Sequence, residues 1–355
     1  MIIFNEVERR DQLRLIREES IFLRDRSDPF GLTDKRFINL FRLNKELVQF
    51  IFQELQPLMD DAVRISRISY QNRILTALRF FATGTYQRGV GQEYLLSISQ
   101  PTVSKCVDEV SQAIQNHFGH EWIKFPNEND MATNKTAFFE YCGMPGVIGA
   151  IDCTHVRIIA PNAEAHNFLN RKGYYSKNVQ LICDTNLLIL NVNANFPGST
   201  HDSFIWRQSA INTHLQNAFE NGQRNTWLLG DSGYPLQPWL LTPFQGPAPD
   251  SPEERYNTAH IRGRNHIERV NGVLKARFRC VSGERGLRYN PEKVGTIVNV
   301  CCVLHNMCVK ARVPIQDEPI IEENDEEFQM FPVQNVLNEG RNIRNNIINL
   351  YFNNH

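Results

Sequence analysis

The sequence predicts an α/β protein, a mixed sheet flanked by helices and preceded by an all-helical, helix-turn-helix-like domain. Three observations predict it. Residues 36–120 carry apolar side chains at helical spacing in successive runs. From about residue 145, short apolar runs bounded by turns take over. The second and third of these runs meet at a tight turn, whereas the fourth follows a helix, so one sheet holds antiparallel and parallel neighbours.

Residues 1–35 form a charged N-terminal arm ending in the turn-rich "RDRSDPFG". In "FINLFRLNKELVQFIFQELQPLM", Phe41, Leu43, Leu47, Phe50, Ile51 and Leu55 recur at helical spacing. "SYQNRILTALRFFATG" puts Ile74, Leu75, Leu78 and Phe81 on one face and stops at Gly84, a C-cap. "SQPTVSKCVDEVSQAIQNHF" opens with Ser99 as N-cap and Pro101 in the first turn, and Val103, Cys106, Val107, Val110 and Ile114 make its stripe. A tight connection before this last helix suggests a helix-turn-helix. A helical cap packed on the next domain is the alternative. The presumed reading face at Thr102, Ser104 and Lys105 has one cation beside Asp108 and Glu109, too little to hold DNA phosphates alone.

Residues 121–312 form the second domain. "VIGAIDCTHVRIIA" is a strand, and "NVQLICDTNLLILNVNANFPG" is two strands turning at "DTN". "HDSFIWRQSAINTHL" reads as a helix and "NTWLLGDSGYP" as a short buried strand. A Pro-rich loop, "QPWLLTPFQGPAPDSPEERYN", leads to the basic helix "RGRNHIERVNGVLKARFR", and the apolar helix "PEKVGTIVNVCCVLHNMCVKAR" closes the domain. Residues 313–355, acidic and then Asn-rich, read as a mobile tail.

With 355 residues, 41% of them hydrophobic, the chain has ample material for a core. A formal net charge of -1 favours no partner, so a nucleic-acid surface must come from local clustering. The N-terminus turns charged by Glu6, unlike a secretory leader, and no apolar run reaches the ~18 residues of a membrane span. The eight cysteines include no C-x-x-C pair and lie mostly in apolar runs. They read as buried free thiols of a soluble intracellular protein.

Three carboxylates stand out. Asp152 interrupts the first strand, Asp231 in "LLGDSGY" ends the fourth, and Glu268 lies one turn into the basic helix. Strand ends are where sites gather in open sheets. On that helix Ile267, Val270, Leu274 and Phe278 make the buried stripe, with Glu268, Gly272, Lys275 and Arg279 on a flank about 100° away. Arg262, Arg264, Arg269, Lys275, Arg277, Arg279, Arg285 and Arg288 face only Glu268 and Glu284 in that window. Converging acids repel one another unless a cation intervenes, and an oxygen-only set suits Mg²⁺ or Mn²⁺. Two such ions about 3.5–4 Å apart would serve phosphodiester chemistry. Asp202 in "FPGSTHDSFIW" has two readings, a helix N-cap or, beside His201, a further metal ligand.

"GAIDCTHV", "RKGYYSKNVQLICD", "FPGSTHDSFIW", "LLGDSGYP", "NHIERVNGVLKARFR" and "NVCCVLHNMCV", in this order, resemble the PIF/Harbinger DDE transposases and their domesticated animal nucleases over residues 36–312. The resemblance implies an RNase H-like core binding two divalent metals, with Asp152, Asp231 and Glu268 as the catalytic acids. Asp202 matches another family motif that can be counted as the second acid. Asp231 is preferred because the end of the fourth strand is that residue's seat in RNase H-like folds. Cys153 departs from the pattern where glycine is expected. The resemblance also implies a nuclear role, with the cytoplasm as second compartment, and a Myb-like DNA-binding partner.

The expected activity is therefore divalent-metal-dependent hydrolysis, or joining, of DNA phosphodiesters. Asp152, Asp202, Asp231 and Glu268 are the candidate metal ligands. Arg171, Lys172, Arg264, Arg269, Lys275 and Arg279 are candidates for gripping the DNA backbone. A homodimer fits the need to act on paired DNA ends. The rival reading is a domesticated, non-catalytic DNA-binding or assembly factor. A hydrolase of small phosphoesters is the third, and the long basic helix suits a polymer better.

Overall fold

The computed structural model describes residues 2–59, 68–84, 87–91, 95–315 and 334–353. Helix α1 (Ile2–Arg26) takes up the charged N-terminal stretch, and α2 (Asp34–Phe41), α3 (Lys45–Leu55) and α4 (Tyr70–Thr83) follow. Asn44 and Ser69 accept the Leu47 and Asn72 amides, donors that have no partner inside their own helices. α4 stops at Gly84, whose φ of 60° is left-handed. A Cβ there would stand 2.6 Å from the Arg279 carbonyl oxygen, so only glycine lets α4 sit this close to the second half of the chain.

After α5 (Gln87–Gly91), α6 (Gln100–Trp122) buries Val103, Cys106, Val107, Val110 and Ile114, the stripe its spacing predicts. α7 (Glu128–Cys142) was not anticipated. Its buried line runs Met131, Asn134, Phe138, Cys142, and the polar Asn134 blurs the apolar period. Asn127 and Asp130 close a reciprocal cap at its start.

The sheet comprises β1 (Val147–Arg157), β2 (Ser176–Cys183), β3 (Ile189–Pro197), β4 (Trp227–Leu229) and β5 (Leu240–Leu241) in the order β3-β2-β1-β4-β5. β2 is antiparallel to β1 and β3, while β4 runs parallel to β1 and β5. The sheet is therefore mixed, as predicted. At the β2–β3 turn the Asp184 carboxylate accepts the Asn186 and Leu188 amides at 2.9 and 2.8 Å.

The single helix expected after β3 is two. Short helix α8 (Ala165–Phe168) precedes β2, and α9 (Asp202–Arg207) and α10 (Ala210–Glu220) follow β3, divided where the Ser209 side chain caps α10. β5 and the start of α11 (Pro252–Arg277) both lie inside the segment read as a loop. α11 and α12 (Pro291–Lys310) cover one face of the sheet, their Ile267, Leu274 and Val298 sharing a core with Val179 and Leu181. Trp206, Ile211 and Leu215 from α9 and α10 join Ile151 and Ile182 on the other.

The first of these cores runs on without a break into the helical region through Phe37, Phe41, Phe81 and Val107. Polar stitches follow the α6–α12 contact: Lys293 Nζ to Asp108 at 2.5 Å, Asn299 to Gln115 at 3.3 Å and Asn306 to the Trp122 carbonyl at 2.8 Å. α6 lies packed along α12.

Residues 334–353 correct the expectation of a mobile tail. α13 (Gln334–Ile347) and the turn after it bring Ile347 and Ile348 onto Leu241 and Tyr256, and Arg255 donates twice to the Phe352 carbonyl, at 3.0 and 2.7 Å. Apolar burial therefore outweighs the polar composition that suggested disorder. The acidic run at 316–333 lies outside the described residues. All eight cysteines are free, seven of them buried. Among the described residues no helix is long and apolar enough to cross a membrane.

Candidate active site

β1 carries Asp152 at mid-strand, paired with Leu181 of β2 and two residues past Ala150, the last β1 residue matched to β4; it is 5% exposed. Alternation sends Ala150, Asp152, Thr154 and Val156 to the α11 face. Gly263 lets α11 approach: a Cβ there would sit 2.6 Å from Leu229 Cδ1 of β4. That approach brings Arg264 and Asn271 of α11 onto Asp152. Arg264 Nη2 lies 3.5 Å from Asp152 Oδ1, and Asn271 Nδ2 donates to Oδ2 at 3.1 Å. The other Arg264 nitrogen, Nη1, reaches Glu268 Oε1 at 3.3 Å.

Asp231 follows β4, where its carboxylate accepts the Gly233 amide at 3.0 Å and fixes the turn. Asp202 stands in the first turn of α9. It is not the N-cap, which is His201, and no side chain caps that helix. The helix-cap reading of Asp202 is thereby replaced: its Oδ1 accepts Asn178 Nδ2 from β2 at 2.7 Å.

Asp231, Asp202 and Glu268 all lie within electrostatic reach of Asp152, and Asp231 within reach of Asp202. Burial raises the Asp152 carboxyl from 3.8 to about 8, and the negative charges of Asp231, Asp202 and Glu268 push the same way, with Arg264 opposing them. Burial likewise raises Asp202 to about 6, while its bond from Asn178 pulls it down and Asp231 pushes it up. Cys153, the small residue standing in place of glycine, lies 3.3 Å from the Tyr234 hydroxyl and also bonds Asp202.

Among the described residues no three His, Cys, Asp or Glu side chains form a ready-made metal cage. The donor chemistry nonetheless fits a hard divalent cation, because every acid offers oxygen. The buried Asn178 Oδ1 and Asn271 Oδ1, on the residues that donate to Asp202 and Asp152, have no hydrogen-bond partner in the protein. Such acceptors would take hydrogen bonds from the water shell a Mg²⁺-like ion retains.

The expected cationic surface divides in two. Arg264 and Lys275 are corrected: both are buried, at 6% and 1% exposure, so neither can reach a DNA backbone. Arg264 is turned to the acids, and Lys275 donates to the His155 carbonyl at 3.0 Å. Arg277 is buried too and donates to the Val313 carbonyl. Arg269 and Arg279 are exposed, as are Arg171 and Lys172. Arg171 lies against the His201 ring, with its Nη2 2.5 Å from Nδ1, and its charge reaches Asp202.

Sequence reasoning missed Asn271 and Asn178. Asn271 was within reach of it: Arg264, Glu268, Asn271 and Lys275 repeat at helical spacing on a single face. Asn178 carries no such signal, because its role depends on strand pairing with His155.

The profile of the family described as DDE superfamily endonuclease matches residues 151–306. The rat protein named "Putative nuclease HARBI1" is 36% identical over 301 residues, covering 83% of this chain and 84% of its own. The Xenopus laevis protein of the same name is 32% identical over 326 residues, covering 90% and 91%. The Arabidopsis thaliana protein named "Protein ALP1-like" is 26% identical over 321 residues, covering 84% and 77%. No solved structure matches significantly.

Proposed function

The chain belongs to the Harbinger transposase-derived nuclease family, which carries a DDE endonuclease domain, and from that premise we propose that it cleaves DNA phosphodiesters with divalent metal. The single observation that carries the reading is the buried Asp152 carboxyl, which feels the charges of Asp231, Asp202 and Glu268 and is held by Arg264 and Asn271. A carboxyl so buried is costly to ionise, and cations offset that cost.

Asp152, Asp231 and Glu268 are the catalytic acids in this reading, with Asp202 as a fourth ligand on an RNase H-like scaffold. Mg²⁺ or Mn²⁺, as a pair, would activate water or a DNA 3′-hydroxyl and stabilise the leaving oxygen. The chain's own part is rigid placement. Asp152 is fixed by the β1–β2 ladder and the Asn271 bond, Asp231 by its turn and Glu268 by the first half of α11's basic run. Arg171, Lys172, Arg269 and Arg279 would hold the backbone. A homodimer, a Myb-like DNA-binding partner and residence in the nucleus, with some in the cytoplasm, complete the proposal.

The rival reading, a non-catalytic DNA-binding or assembly factor, is favoured by one observation: both Asp152 oxygens already have protein donors. The test is cleavage of supercoiled plasmid and duplex oligonucleotides by the whole chain, with Mg²⁺, with Mn²⁺ and with chelator, in the presence and absence of a Myb-like protein. Metal-dependent nicking that disappears in a folded Asp152→Asn variant supports the nuclease. Cleavage that persists in that variant, or none with any metal or partner, removes it.

A further inference from the structure

A buried arginine stands where an acid cluster needs positive charge. Arg264 is 6% exposed and reaches Asp152 with one terminal nitrogen and Glu268 with the other. The distances, 3.5 and 3.3 Å, exceed the about 2.7–2.9 Å of a close charge-assisted bond. The guanidinium is therefore stretched between the Asp152 and Glu268 side chains without closing on either. Its third nitrogen, Nε, is buried with no hydrogen-bond partner.

Asp152 is engaged at both oxygens, by Asn271 on Oδ2 at 3.1 Å and by Arg264 on Oδ1. Each oxygen keeps a second lone pair for a ligating cation, but a divalent ion on Asp152 would repel the Arg264 guanidinium, whereas the neutral Asn271 amide carries no such repulsion. The Arg264 contact is the longer, and its loss leaves Arg264 still paired with the half-exposed Glu268 one helical turn away. Asn271 has no comparable second carboxylate.

Resting on the nuclease reading above, we infer that Arg264 is a built-in counter-cation, seated on Asp152 and Glu268 in the metal-free protein and displaced from Asp152 when a divalent ion enters. Arg264 is thus a positioning residue that sets the threshold for metal loading, not a DNA contact. It keeps the acids from repelling one another apart before the ion arrives, and it competes with that ion for the same charge.

Calorimetric titration of the full chain with Mn²⁺ tests this. Arg264→Gln should bind Mn²⁺ about tenfold more tightly than wild type, the equivalent of one lost charge-assisted bond. Arg264→Lys keeps the charge but loses the two-pronged fork, so it should tighten Mn²⁺ binding by less than Arg264→Gln does, and tightening equal to that of Arg264→Gln would overturn the inference. Arg269→Gln removes an exposed cation from the same helix and should stay within about twofold of wild type, because solvent and salt screen it. Equal tightening in Arg264→Gln and Arg269→Gln would reduce the effect to bulk charge and overturn the inference, as would unchanged or weaker binding in Arg264→Gln.

A second measurement needs no variant. The Arg264 side-chain ¹⁵Nε resonance of the wild-type chain should move on titration with Mg²⁺, and a signal unmoved at saturation overturns the inference. Wild-type chain that binds neither metal would sink the nuclease reading along with it. Binding without displacement sinks the inference alone.

Discussion

Asn271 of α11 donates to Asp152 of β1 at 3.1 Å, tying the helix to the strand at the one carboxyl that the sheet buries most deeply among the four acids. Asn271→Ala should destabilise the protein by about 1–3 kcal/mol, the cost of a buried acceptor left short of a donor. It should also weaken Mn²⁺ binding about 10–100-fold, as loss of a residue that orients a metal ligand does. Chemical denaturation and calorimetry check the two numbers separately.

Stability of the metal-free protein should fall with rising pH. Between the ordinary 3.8 of an aspartate and about 8, the folded chain keeps a proton on Asp152 that the unfolded chain has released. The unfolded state thus binds fewer protons, and the slope of unfolding free energy against pH is negative across that window. Asp202, raised to about 6, adds to it in the lower part. Thermal melts in chelator should show the decline levelling off above pH 8. Asp152→Asn should flatten most of it and melt above wild type at pH 8.

Glu268→Gln should leave the fold intact, because Glu268 is half-exposed and its partner Arg264 keeps Asp152. Nicking activity should drop by more than the about 10–100-fold typical of an orienting neighbour. Circular dichroism and a plasmid assay together separate a lost ligand from a lost structure.

The cations should sort by burial. Arg269→Ala and Arg279→Ala should each lower the slope of log affinity for DNA against log salt by about one. Lys275→Met should leave that slope unchanged and instead destabilise the protein by about 0.5–1.5 kcal/mol, since the bond from Lys275 Nζ to the His155 carbonyl is lost. Fluorescence anisotropy at several salt concentrations distinguishes the groups.

Truncation after residue 333 should cost stability rather than trim a loose end. Ile347 and Ile348 are 4% and 3% exposed, and burying each stabilises by about 1.5–3 kcal/mol. A truncated chain as stable as the whole in urea would contradict the packing of α13 on β5.

Much of this was legible in the residues. The Ile267, Val270, Leu274 and Phe278 stripe, the stop at Gly84 and the turn at Asp184 each follow from local rules of period and capping, and all three are present. The acids could be nominated because Asp152 breaks an apolar strand and Asp231 ends another. Their partners could not. Whether Arg264 and Lys275 face solvent or the sheet depends on how closely α11 approaches β4, and Gly263 sets that distance through a contact with Leu229 far away in sequence. β5, two residues long, falls below any periodic signal. α13 reads as polar tail until Leu241 and Tyr256 supply the surface it covers.

The unbroken core between α6 and α12 bears on how this protein can be divided. A fragment ending near residue 120 would bare Val103, Val107 and Val110 to water, and the remainder would lose the cover over Val298 and Leu304. Neither half should fold as a detachable cassette. Fusions or chimeras that swap the first 120 residues for another protein's reader should yield insoluble product unless the graft brings its own matching lid for α12.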